Sequence, residues 1–137
     1  MKIAKDFVGV GVGAFILNEN NELLLLKKAV SPEKDCWRIP GGKLELYQTM
    51  KDSLIKEVKK ECGIDISVLK LMGVCEHMVL AEGGHWVATS FLCEIKKGIP
   101  EIMDSKKISD MQWFALDNLP KELTITTQKA IEDYQKI

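Results

Sequence analysis

The sequence predicts a domain of the α/β (α+β) class built on a mixed β-sheet. Three observations carry that expectation. An alternating apolar strand pattern opens the chain, a capped amphipathic helix stands near its middle, and further strand patterns lead to a second helix. The 137 residues fit one domain spanning 1–137, enough for a sizeable core and too few for two.

From Phe7 to Leu17, Val8, Val10 and Val12 alternate with Gly9, Gly11 and Gly13, which reads as a strand. Asn18 to Asn21 reads as a turn and Glu22 to Lys27 as the return strand of a hairpin. The run Gly9 to Ala14 matches G-x-G-x-x-A nominally. That dinucleotide fingerprint needs a helix to open inside it, and here more strand follows. The glycines are better explained as a face on which another element packs closely. After a loop carrying Ser31-Pro32 and the segment Trp37 to Gly42, a helix is predicted from about Thr49 to Cys62. Thr49-x-x-Asp52 resembles a capping box, and Gly63 stands where a left-handed C-terminal glycine belongs. Ile64 to Val74 reads as a strand with a turn near Gly73. His77 to Leu80 and Trp86 to Ile95 read as two strands joined at Glu82-Gly83-Gly84. Lys96 to Ser109 is a polar loop, Met111 to Leu116 a short strand, and Ile125 to Lys136 a closing helix after the break at Asn118-Leu119-Pro120.

Composition narrows the function. Nineteen Lys+Arg oppose twenty Asp+Glu for a net charge of −1, and Arg38 is the only arginine. Base-edge and multi-phosphate readers lean on arginine's planar fork, so a nucleic acid polymer is not an expected partner. No apolar run approaches the ~20 residues of a membrane span, and the first residues lack a signal peptide's apolar stretch. The expectation is a cytoplasmic protein without a membrane partner. Cys36, Cys62, Cys75 and Cys93 form no C-x-x-C pair and read as free, mostly buried thiols. A zinc set of Cys75, His77, His85 and Cys93 matches no standard spacing.

The middle helix carries the chemistry. At about 100° per residue, Leu54, Met50, Val58, Ile55 and Cys62 form an apolar face, and Glu57 and Glu61 fall on its shoulder. Lys51, Lys56, Lys59 and Lys60 point mostly elsewhere. Like charges four residues apart destabilise a helix, and half-burying both makes the conflict worse. A divalent cation between them removes it; a solvated helix edge with Glu57 paired to Lys60 is the plainer alternative. Upstream, Pro40-Gly41-Gly42 leaves backbone groups uncovered to meet an anion or lend a carbonyl to a metal, and Glu45 follows. Hard oxygen ligands of this kind suit Mg²⁺ or Mn²⁺, the ions of phosphoryl chemistry.

Gly42 to Ile64 (GKLELYQTMKDSLIKEVKKECGI) resembles the Nudix box, G-x5-E-x7-R-E-U-x-E-E-x-G-U with U aliphatic. Trp37-Arg38-Ile39-Pro40-Gly41 is similar to the segment that often leads into it, and Trp113 to Pro120 extends the likeness towards the end of the chain. The resemblance, to a MutT-like Nudix hydrolase, implies an α/β/α sandwich with a mixed sheet. It also implies Mg²⁺- or Mn²⁺-dependent hydrolysis of a nucleoside diphosphate linked to another group, with release of a nucleoside monophosphate. Glu57 and Glu61 would be the principal metal ligands, with the Gly41 carbonyl assisting and Glu45 adding an oxygen. A small nucleotide is the implied partner, and a homodimer is compatible with the family. Three positions depart from the pattern: Gln48 and Lys60 replace glutamates, and Lys56 replaces arginine.

Other roles follow with less constraint. Asp104 is the preferred catalytic base because it stands in a loop. Glu76, Glu101 and Asp110 are alternatives, as are His77 and His85, whose ordinary pKa lies near neutrality. Lys27, Arg38, Gly42 and Trp86 are the expected substrate contacts, with Lys28 equally placed after its strand and Trp113 better suited to the core. Two other functions stay open: a nucleotide-binding module that has lost catalysis, and a GDP-sugar hydrolase acting at the sugar carbon with a histidine base.

Overall fold

The computed structural model describes residues 2–79 and 84–137. Strand β1 (Gly9–Ile16) is followed by β2 (Glu22–Lys28), β3 (Trp37–Arg38), β4 (Gly41–Lys43) and helix α1 (Met50–Cys62). Then come β5 (Asp65–Val79), β6 (Gly84–Lys97), β7 (Ile108–Ala115) and α2 (Ile125–Gln135). One sheet has the order β4-β1-β6-β5 and is mixed: β1 runs parallel to β6, and the other two pairs are antiparallel. The second, β3-β2-β7, is antiparallel.

The expected β1–β2 hairpin does not form a ladder. Asn18 makes the turn, its Oδ1 accepting from the N–H groups of Asn20 and Glu22, and a lone bridge joins Leu17 to Leu23. The two strands then diverge into different sheets. Burial explains why. Leu23, Leu24, Leu25 and Leu26 are all fully buried, so β2 needs cover on both faces, and alternation sends its leucines to opposite cores. Leu24 and Leu26 join Leu54, Val58 and Cys62 of α1, whereas Leu23 and Leu25 join Ala130 and Ile131 of α2. The result is an α/β/α sandwich with a core on each side.

Helix α1 ends where its sequence signals place it. Thr49 Oγ1 accepts from the Asp52 N–H at 3.0 Å, and Gly63, at φ 71°, donates its N–H to the Lys59 carbonyl. Met50 departs from its expected face: it is 38% exposed, in the first turn. Ile64–Val74 and His77–Leu80 are not separate strands. β5 runs unbroken from Asp65 to Val79, and the expected turn at Gly73 is instead a register shift against β6. The joining turn at Glu82-Gly83, together with Leu80, lies outside the described residues. β6 extends to Lys97 and β7 begins at Ile108, shortening the polar loop at both ends. The glycine face of β1 does receive close neighbours: a Cβ on Gly9 would stand 2.7 Å from the Trp86 ring. Among the described residues no helix is long and apolar enough to cross a membrane.

Candidate active site

A cavity of about 680 Å³ is lined by residues of β1, β4, α1, β5, β6 and α2. At one end stand Arg38, Gly41, Gly42, Glu45, Glu57 and Glu61. The two helix carboxylates reach it along the shoulder of α1, but their surroundings differ.

Glu61 is buried and fully engaged. Its Oε2 accepts from Arg38 Nη2 at 2.5 Å, and its Oε1 accepts from Arg38 Nη1 at 3.3 Å and from the Gly41 N–H at 2.9 Å. This two-pronged guanidinium contact satisfies a carboxylate that burial would otherwise penalise. It also pins the loop, because the Gly41 amide is held by Glu61 while its backbone sits at φ 154°. A Cβ there would stand 2.0 Å from the Val12 carbonyl oxygen, so only glycine fits.

Glu57 is half-buried and lies directly over Gly42, where a Cβ would stand 2.6 Å from its Oε2. Its carboxylate has no hydrogen-bond or ion-pair partner among the described residues, and neither has that of Glu45. The Glu45 N–H donates to Ser53 Oγ, and the Ser53 hydroxyl donates to Gln48 Oε1 at 2.9 Å. Gln48 therefore braces the start of α1 and does not replace the carboxylate of the box pattern.

These residues fit a lightly coordinated divalent cation. Among the described residues no three His, Cys, Asp or Glu side chains form a ready-made cage. Mg²⁺ does not need one: it keeps several waters and is held by one or two carboxylates plus substrate phosphates. Two unpaired carboxylates, Glu57 and Glu45, share a wall with the glycine backbone, and that donor set is all oxygen. The zinc set is not assembled: Cys93 is buried with its Sγ facing the Phe91 carbonyl, and His85 does not line this cavity.

Several other expected site residues lie elsewhere. Lys27 is not on the cavity wall; its Nζ stands 5.9 Å from the Trp37 ring centroid, and its neighbour Lys28 lines the cavity instead. Asp104 is also off the wall, and its carbonyl accepts from the N–H groups of Lys107 and Ile108 to make the turn before β7. Glu76, Glu101 and Asp110 are outside as well: Asp110 accepts from the Met111 N–H and the Gln112 amide, and Glu76 faces His85 at 3.6 Å. Trp86 and His77, paired across β5 and β6, do line it, and Trp113 packs against the core.

The far end was not legible in the sequence. Thr89 and Ser90 of β6, Cys75 of β5, and Lys129 and Asp133 of α2 close the cavity there. Lys129 Nζ and Asp133 Oδ1 stand 2.5 Å apart, an i,i+4 pair whose spacing was the available signal. Asp133 is buried, and its Oδ2 has no partner among the described residues.

The two buried thiols, Cys62 and Cys93, do not line the cavity. Burial pushes Cys62 and Cys93 up to about 12 from an ordinary 9.0, with the Glu61 charge adding to Cys62. Both are neutral at pH 7 folded or unfolded. Between pH 9 and 12 the folded chain retains protons that the unfolded chain releases, so stability falls as pH rises through that window. Urea melts from pH 8 to 11 are expected to show a loss approaching about 1 kcal/mol per pH unit for each thiol above pH 9, and Cys93→Ala reduces that slope.

The sequence comparisons agree with this architecture. A model of the NUDIX domain matches residues 8–134. The chain belongs to the NUDIX family. An ADP-ribose pyrophosphatase of Methanocaldococcus jannaschii is 31% identical over 121 residues, 88% of this chain and 70% of that protein. The human 8-oxo-dGDP phosphatase NUDT18 is 30% identical over 112 residues, 80% of this chain but only 33% of that longer protein. The crystal structure of a MutT NUDIX hydrolase from Burkholderia pseudomallei superposes with a TM-score of 0.87 at 35% identity, covering 91% of this chain and 96% of that one. The chain is therefore a Nudix hydrolase, of a family that acts on small nucleotide substrates and generally uses divalent metal ions.

Proposed function

We propose that the chain, acting as a single domain over 1–137 with its box at 42–64, hydrolyses the pyrophosphate bond of a nucleoside diphosphate linked to a second group. A nucleoside monophosphate is released. ADP-ribose is the first substrate to test, because of the 31% identity with an ADP-ribose pyrophosphatase. The observation that carries this reading is the unpaired Glu57 carboxylate seated over Gly42 beside a glycine backbone pinned by Glu61.

Mg²⁺, or Mn²⁺ in its place, would be held by Glu57 and the Gly41 carbonyl. When bound it neutralises phosphate oxygens and makes water a better nucleophile. The other work falls to the chain itself. Arg38 holds Glu61, and Glu61 holds the Gly41 amide, which fixes the direction of the loop. Gly42 leaves the space that the Glu57 carboxylate fills. Trp86 offers a flat apolar surface on which a base can stack. Glu45, the other uncommitted carboxylate, replaces Asp104 as the proposed base. Its Oε takes a proton as water oxygen bonds to phosphorus, and the bridging P–O bond breaks with its electron pair leaving on the departing phosphate.

With Mg²⁺, ADP-ribose is expected to give AMP and ribose 5-phosphate, in a panel with 8-oxo-dGDP, dNTPs and GDP-mannose. Free mannose with intact GDP would transfer the assignment to the GDP-sugar reading. Nucleotide-induced thermal stabilisation without turnover would support the binding module. The Gln48–Ser53 hydrogen bond favours that second reading, since it ties a box position to structure.

A further inference from the structure

We propose that Lys60 serves as a second, covalently fixed cation of this site. Its ammonium holds a substrate phosphate oxygen, and the chain retains one divalent ion, tightly only when a diphosphate binds with it. The inference rests on the hydrolase reading above and specifies its metal count.

Lys60 lies one turn beyond Glu57, about 60° from it around the helix, and next to Glu61 in the chain, although its place on the wheel is outside the apolar shoulder. It nevertheless lines the cavity with them. It is exposed, and its ammonium has no partner among the described residues. The carboxylates it joins are not free to compensate one another, because Glu61 is already committed to Arg38 and the Gly41 amide. At this end Glu45, Glu57 and Glu61 face Arg38, Lys43 and Lys60, so the wall carries no excess negative charge. A divalent ion arriving alone gains little there. A diphosphate supplies both the missing charge and the missing oxygen ligands, and binding of either partner then favours the other to the same degree. A lysine suits this task because its ammonium is a compact charge on a flexible stem, able to follow a phosphate oxygen.

The test is a Mn²⁺ titration read by the electron paramagnetic resonance of free Mn²⁺, with and without the non-hydrolysable α,β-methylene-ADP. Wild type is expected to bind one Mn²⁺ per chain, about tenfold or more tighter with the analogue present. Lys60→Glu is expected to bind Mn²⁺ about tenfold tighter without the analogue and to take up a second Mn²⁺ with it. Lys60→Gln, an exposed and near-isosteric change, is expected to weaken metal-free binding of the analogue by about tenfold. Two Mn²⁺ per wild-type chain would overturn the proposal, and so would Mn²⁺ affinity and stoichiometry that Lys60→Glu leaves unchanged. Neither readout needs turnover. An inactive chain with the expected Mn²⁺ behaviour defeats the hydrolase reading alone, and an active chain with two Mn²⁺ defeats this one alone.

Discussion

Glu57→Gln is expected to lower kcat by about a thousandfold or more while the chain stays folded. Glu57 makes no hydrogen bond or ion pair among the described residues, so its amide loses no structural contact. The substitution also relieves repulsion between two carboxylates one turn apart, and thermal unfolding should stay within about 2 °C of wild type. Gly42→Ala attacks the same group from the other side. The new methyl would crowd Glu57 Oε2, Cδ and Cγ, at 2.6, 2.7 and 2.9 Å, so the side chain must swing out of its seat from Cγ outward. Activity is expected to fall by about tenfold or more with little change in stability. Full activity in Glu57→Gln, measured on the wild-type substrate, would remove Glu57 from the site.

The second large effect is on stability. Arg38→Met is expected to cost about 3 kcal/mol or more by urea unfolding, because it leaves Glu61 buried beside an apolar side chain. The side chains of the pair are 18% and 11% exposed, so solvent screening is weak. Arg38→Lys keeps a positive charge but loses the fork, and should fall between wild type and Arg38→Met. Replacing both partners, as Arg38→Met with Glu61→Leu, is expected to recover much of the loss, since no orphaned charge remains. A cost below about 0.5 kcal/mol for Arg38→Met would show the pair to be an ordinary surface contact.

What the sequence showed best was local. Thr49 and Gly63 cap α1 as their chemistry requires, and helical periodicity put Glu57 and Glu61 on one shoulder of that helix. Whatever depended on distant partners was harder to see. Asn18 makes its turn as expected, but whether β2 pairs with β1 is decided by the need to cover four consecutive buried leucines. Lys27 and Lys28 looked equivalent at the end of a strand, yet adjacent strand residues face opposite ways, and Lys28 is the one on the cavity wall. Glu57 and Glu61 looked interchangeable until the Arg38 fork separated a structural carboxylate from a free one. Asp104 had only its loop position to recommend it, and the turn it makes leaves Lys107 on the cavity wall and Asp104 off it. Lys129 and Asp133 offered only their i,i+4 spacing, which does not mark them as site residues because nothing in α2 announces which strand it will cover.

Phosphorus NMR of ADP-ribose incubated with Mg²⁺ and either wild type or Glu57→Gln reads pyrophosphate cleavage and its dependence on Glu57 in one experiment. The coupled diphosphate resonances are expected to give way to two monophosphate signals with wild type and to persist with Glu57→Gln. Loss of the diphosphate signals at the same rate with both proteins would contradict the proposed role of Glu57.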